Sequence, residues 1–242
     1  MKKELWEIYR KPEWRMREWS DSDHKPLYTP CRRGFCLYEQ VVDAMMPSRN
    51  SWTSDLIALV EVEGQCFKRV REHLFLGSSR QSARQWWQKK RILKLYKWTK
   101  EDAVGLAVFA ARMAIGVYEK RYPNDKWHRG AIEAADQWLR DKSAPARRAA
   151  KRAAISAMEE EIREKNKTKI KWNRSIQRAR SAAVSAQSAA WSAANGNIIS
   201  AIGVGMNSVI FAIQSSASKC KTARKCEEWI QKRLKKKETR KK

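Results

Sequence analysis

The chain has 242 residues, with 52 Lys and Arg against 26 Asp and Glu, a formal net charge of +26. A surplus of that size raises the energy of the compact state through self-repulsion, so it points to an anionic partner: nucleic acid first, then an acidic protein or an anionic membrane surface. A hydrophobic fraction of 43% supplies a core and excludes wholesale disorder.

The surplus is clustered. Residues 68–100 carry eleven bases against Glu72 alone, residues 142–180 carry thirteen against four acids, and residues 221–242 carry eleven against three. Five cysteines, an odd number, and an opening Met1-Lys2-Lys3-Glu4 with no signal-peptide pattern fit a reducing cytoplasm.

In chain order, residues 1–34 place Trp6, Trp14 and Trp19 among mixed charges and break the stretch at Pro12, Pro26 and Pro30, which predicts a helix or two and a loop. Residues 55–63, Asp-Leu-Ile-Ala-Leu-Val-Glu-Val-Glu, predict one clear strand, ended by Gly64. A helix is predicted at 65–76 and a second, strongly basic one at 80–95.

Within this stretch Leu76-Gly77-Ser78-Ser79-Arg80-Gln81-Ser82-Ala83-Arg84-Gln85-Trp86 is similar to the turn and recognition helix of helix-turn-helix proteins, spanning 69–90. Gly77 makes the turn, a serine caps the second helix, and Ala83 and Trp86 hold it down. Arg80, Gln81, Arg84 and Gln85 then face outward, as side chains able to reach base edges and phosphates. Lys89, Lys90, Arg91 and Lys94 extend the basic surface. His73 fills the first-helix position where a small residue is usual, so a solvated basic helix is the competing reading. Trp86 and Trp87, flanked by cations, also suit stacking of unpaired bases.

From Thr99 the pattern is helical. Thr99 offers an N-cap hydroxyl with Asp102 three residues on, a variant of the capping box. Val104, Val108, Ala111, Ile115 and Tyr118 recur at helical spacing, and Leu106, Phe109, Met113 and Val117 cover another side, as expected of a central helix. Tyr122-Pro123-Asn124-Asp125 is a turn. Trp127, Ala131, Ala134 and Trp138 mark the next helix, ending near Arg140. Ser143 and Pro145 start another. Its Ile155, Met158 and Ile162 face inward, and Arg147, Arg148, Lys151 and Arg152 cluster near its start.

Residues 181–218 contain no charged side chain. Ala179, Ala183, Ala186, Ala190 and Ala193 alternate at three and four; Asn195-Gly196-Asn197 supplies a left-handed turn; Ile202, Met206, Val209, Ile213, Cys220, Ala223, Ile230 and Leu234 continue the alternation down a return helix. Asn195, Asn197, Asn207 and Gln214 would need partners in lipid, so the stretch predicts a tightly packed antiparallel hairpin rather than a membrane span.

The segments Trp98-Thr99-Lys100-Glu101-Asp102, Phe109-Ala110-Ala111-Arg112, Tyr118-Glu119-Lys120-Arg121-Tyr122-Pro123-Asn124-Asp125 and Ala131-Ile132-Glu133-Ala134-Ala135-Asp136-Gln137-Trp138-Leu139-Arg140 resemble the immunity-protein family, alanine-rich helical domains of bacterial and bacteriophage genomes. The likeness covers about residues 98–235, closing on Glu228-Trp229-Ile230-Gln231-Lys232-Arg233-Leu234. It implies an all-helical domain that neutralises a toxin or effector by binding, with no catalytic residues. This chain departs from the family in its far more basic character and in its separate first hundred residues.

Catalytic patterns are absent from the sequence. Gly203-Val204-Gly205 lacks the third glycine of a phosphate loop and sits within a helix. Four residues lie between Cys31 and Cys36 and five between Cys220 and Cys226, neither being a zinc-knuckle gap, and His24, His73 and His128 supply no second pair.

The expectation is therefore a mainly α protein: a small basic Trp-rich α+β module at 1–95, an Ala-rich antiparallel helical domain at 98–236, and a basic tail at 237–242. The expected function is non-enzymatic binding of nucleic acid, double-stranded DNA above others, with residues 80–94 and 147–152 (Arg147, Arg148, Lys151 and Arg152) as the leading contact surfaces, and without cofactor, metal or small-molecule substrate. The alternative is an inhibitor or immunity protein docked on an acidic effector, with basic steering speeding the encounter.

Overall fold

The computed structural model describes residues 3–9, 20–21, 35–40, 44–45, 55–73, 81–124, 126–141, 143, 145, 148–149, 152, 156 and 174–239. The protein is mainly helical, with a small antiparallel sheet near its N-terminus. The chain divides into two compact units, one of residues 1–46, 53–98 and 230–242, the other of residues 47–52 and 99–229.

The first unit is organised by a long antiparallel hairpin, β4 (Leu56–His73) with β5 (Gln81–Lys97). Strand β1 (Lys3–Tyr9) pairs with the first half of β4, from Lys3↔Val62 to Tyr9↔Leu56. Strand β3 (Phe35–Tyr38) pairs with β5 from Phe35↔Trp87 to Tyr38↔Arg84 and meets β1 at Trp6↔Tyr38. These four strands thus pair in a closed ring, with the two-residue β2 (Ser20–Asp21) added outside β5. Leu5, Leu37, Ala58, Val60, Val62 and Ile92 form its core, with Leu56, Trp87 and Leu95 packed against them.

Four sequence expectations are corrected here. Lys3–Tyr9 is a strand, not helix. The strand beginning at 56 does not stop at Gly64: that residue takes φ 84°, and the register slips between Glu63 and Cys66, so the glycine absorbs an irregularity and the strand continues to His73. The predicted helix at 65–76 is therefore strand as far as it is described. The predicted basic helix at 80–95 is strand β5 from Gln81 onward, and the helix-turn-helix at 69–90 falls on β4 and β5 as far as it is described. Another register slip, opposite Leu59 and Val60, resets the alternation of β5, so the apolar residues of its second half fall at 92, 93, 95 and 96, a spacing that imitates a helix. Cross-strand partners and the shared core override the helical propensity of its Gln, Lys and Arg residues.

In the second unit, α1 (Lys100–Glu119) opens on the expected capping box: the Thr99 hydroxyl accepts from the Asp102 N–H and the Asp102 carboxylate accepts from the Thr99 N–H at 2.8 Å. It is buried over most of its circumference, from Ala103 to Tyr118, and packs against α2 (Trp127–Arg140), α3 (Arg174–Ala194) and α4 (Ile198–Ser215). Positions 145, 148, 149, 152 and 156 are helical, whereas Ile155, Met158 and Ile162 lie outside the described residues.

The predicted alanine-serine hairpin is present. Helices α3 and α4 join at Asn195-Gly196-Asn197, with Gly196 at φ 80° and the Asn197 side chain capping α4 at the Ser200 N–H, 2.9 Å. Ala179, Ala183, Ala186, Ala190 and Ala193 are wholly buried. At the crossing of three helices the buried Ser208 hydroxyl points to the carbonyls of Ala107 (3.0 Å) and Ala182 (2.8 Å). The return helix is not continuous as expected: Ser216 turns extended at ψ 139°, and α5 (Lys219–Thr239) starts afresh. Serine hydroxyls compete for backbone groups there, the Thr222 hydroxyl donating to that of Ser216 at 2.8 Å.

Two glycines give opposite expectations for one substitution. A Cβ on Gly205 would stand 2.9 Å from the Ala103 carbonyl oxygen, whereas one on Gly116 meets nothing within 4 Å. G205A therefore lowers stability by roughly 1–3 kcal/mol, less about 1 kcal/mol of helix propensity. G116A raises stability by about 0.5–1 kcal/mol. Thermal unfolding followed by circular dichroism checks both signs.

Candidate nucleic-acid interface

The residues singled out in the sequence fall on β5 and on the helical positions after Ser143. Arg80 lies outside the described residues; Gln81, Arg84 and Lys89 are described in backbone only, paired in register with His73, Val70 and Glu63.

Gln85 does not face outward. It is 2% exposed, its carbonyl oxygen accepts from the Trp87 indole N–H (3.0 Å) and the Lys3 ammonium (3.3 Å), and its amide donates to Glu39, which also holds Lys3 at 2.8 Å. This closed network is as buried polar groups require. Trp87 is half-buried and packs on the sheet core while donating to Gln85. Both residues serve the interior of the sheet unit.

Arg91, Lys94 and Lys97 of β5 each meet a carboxylate. Lys90 is buried. Arg91 bridges to Glu61, which stands in register opposite it. Lys97 lies 3.9 Å from Asp55, whose carbonyl accepts from the Trp98 N–H. Lys94 is exposed and donates to Glu238 of α5 at 3.0 Å. The same Glu238 oxygen accepts from the Tyr96 hydroxyl, and Lys237 next to it donates to the Lys97 carbonyl and stands 5.7 Å over the Trp98 ring. The hydrogen bonds from Tyr96 and Lys94 hold the Glu238 carboxyl below its ordinary value of 4.5; burial and that same bond push the Tyr96 phenol up. Glu4, Trp6, Leu59, Lys94, Tyr96, Gln231, Leu234, Lys235 and Glu238 line an open groove here of about 310 Å³.

Of the second cluster, Arg147 and Lys151 lie outside the described residues, and Arg148 and Arg152 are exposed, one helical turn apart. Sequence reading missed Glu39, Glu61, Asp55 and Glu238 as the counterions of the β5 surface. Three of these four precede β5, and the Val-Glu-Val-Glu alternation at 60–63 was the legible signal, because a hairpin sets it opposite the bases of the return strand. Among the described residues no group of three or more His, Cys, Asp or Glu converges as a metal site would need, and no helix is long and apolar enough to cross a membrane. No family model, curated protein or solved structure matches the chain, so the likeness of 98–235 to immunity proteins stands on its quoted segments alone.

The Glu238 cluster gives a pH-dependent expectation. A carboxyl with a depressed folded-state value adds stability that is present above its unfolded value and lost as pH falls through the folded one. E238Q lowers the melting temperature at pH 7 by about 1–3 °C, as suits a largely exposed pair. The gap to the unaltered protein narrows below about pH 4.5, and an equal gap at pH 7 and pH 3 contradicts the assignment.

Proposed function

We propose that this protein is a non-enzymatic binder of double-stranded nucleic acid, DNA above others, held mainly by phosphate contacts. One observation carries the reading: if every one of the 26 carboxylates paired with one cation, 26 Lys and Arg would remain uncompensated. Six of the described carboxylates already hold cations. Glu39, Glu61, Asp55 and Glu238 hold cations of the sheet unit. In the helical unit Glu119 holds Arg129, and Asp136 holds both Arg112 and Arg140.

The remaining cations require an external counter-charge. A duplex offers about one negative charge per 1.7 Å of axis, and neutralising it releases condensed counterions. Backbone contact is favoured over reading of base edges, because Gln85, one of the residues chemically suited to a base edge, is committed to a buried network. Exposed Arg148 and Arg152 belong to the contact surface, with Lys94 as a cation shared with Glu238.

Fluorescence anisotropy with a labelled 20-base-pair duplex tests this. The association constant is expected to fall linearly on log–log axes with salt, with a slope of about −4 or steeper, independent of sequence within about threefold. Binding that is absent at about 50 mM salt, or that does not change as salt rises, rules the reading out.

A further inference from the structure

The last helix carries a cationic surface of its own. Helix α5 is amphipathic in an unusual sense: one face is buried and the opposite face is almost entirely cationic. At 100° per residue, Ala223, Cys226, Ile230 and Leu234 lie within roughly 80° of one another, and all four are at most 1% exposed. Lys221, Lys225, Lys232 and Lys236 lie on the opposite side within roughly 60° of each other, and all are exposed. Arg224 and Lys235 flank them, also exposed, with Glu228 the one acid on this face.

Helix stability does not account for this arrangement. Lys236 and Lys237 in the last turn suit the negative end of the helix dipole. Lys219 and Lys221 stand at the positive end, where cations are unfavourable, and the first turn holds no acid. Lys221 with Lys225, and Lys232 with Lys236, are like-charge pairs four residues apart, each costing a few tenths of a kcal/mol, against which Glu228 stands four residues from Arg224 and from Lys232 as the single acid of the row. A row of cations that weakens its own helix becomes favourable when a polyanion lies along it.

We infer that the exposed face of α5, from Lys221 to Lys236, is a phosphate-tracking surface that lies along the backbone of a nucleic-acid duplex. This rests on the function proposed above and names where on the chain the contact is made. The row extends about 22 Å at 1.5 Å per residue, the axial length of roughly six to seven base pairs. Single strands are bound on aromatic platforms. This face has none, and the neighbouring Trp229 is stacked on Phe109 with ring centroids 6.1 Å apart. An amphipathic helix that enters a membrane surface needs its apolar face free, and here that face is buried in the protein.

The test compares the unaltered protein, K221Q/K225Q/K232Q, and the charge-matched control K120Q/R121Q/K126Q, whose three cations are exposed elsewhere. Glutamine keeps helix propensity close to that of lysine, and circular dichroism with thermal unfolding verifies that each variant is folded. The salt slope for a 20-base-pair duplex is expected to become shallower by about two to three in the α5 variant and by less than about one in the control. Affinity at about 150 mM salt is expected to fall at least tenfold in the α5 variant only. A duplex-binding protein whose α5 variant keeps the full slope overturns the placement and leaves the proposed function standing; absence of duplex binding in the unaltered protein overturns both. Preference for phosphatidylserine vesicles over duplex at equal salt, lost in the α5 variant, overturns the choice of partner.

Discussion

Carboxylates are the scarce resource of this protein, and their placement governs the sheet unit. An ionised side chain taken from water without a partner is expensive, so a chain with two cations for every acid can bury charge only where an acid is delivered to it. Glu61 meets Arg91 across the hairpin. Glu39 holds Lys3 and the Gln85 amide. Glu238 reaches Lys94 and Tyr96 from the last helix. These contacts let a strand as basic as β5 occupy the middle of a closed ring of strands.

The helical unit builds its central hairpin almost without charge, Arg180 being its one buried ionisable side chain among the described residues. From 181 to 218 the α3–α4 hairpin has none, and its seam is built of alanines that let the backbones come close. Close approach makes the hairpin intolerant of added bulk, as the 2.9 Å clearance over Gly205 shows, and leaves the Ser208 hydroxyl to serve two carbonyls. The cost of this economy is that side-chain volume contributes less to the core than it would with larger residues.

Fold and proposed function are linked through what these two devices leave over. Acids spent inside the sheet unit are not available to neutralise the surface, and residues 181–218 of the helical unit supply no charge of either sign. A surplus of this kind is a standing cost to the folded chain, relieved by salt or by a polyanion. The face of α5 gathers cations on one straight element, whereas Arg91, Lys94 and Lys97 of β5 are each held by a carboxylate.

Much of the helical unit was legible in the residues themselves. The Thr99–Asp102 cap, the Tyr122-Pro123 turn, the Asn195-Gly196-Asn197 reversal and the three-four alternation of alanines are local signals, fixed by hydrogen bonds and side-chain spacing within a few residues. The charge surplus and the absence of catalytic motifs were equally plain. Strand β5 was not, because strand pairing is a non-local choice: Gln81–Lys97 has helical propensity, and the register slip opposite Leu59 and Val60 resets its alternation. Only the partner strands β3 and β4 decide its state. Likewise composition determined that cations would be in excess, but which of them are tied to an acid and which line a solvent face depended on where the chain brought Glu39, Glu61 and Glu238. Coulomb attraction between residues as far apart as 94 and 238 exists only once folding has closed the distance.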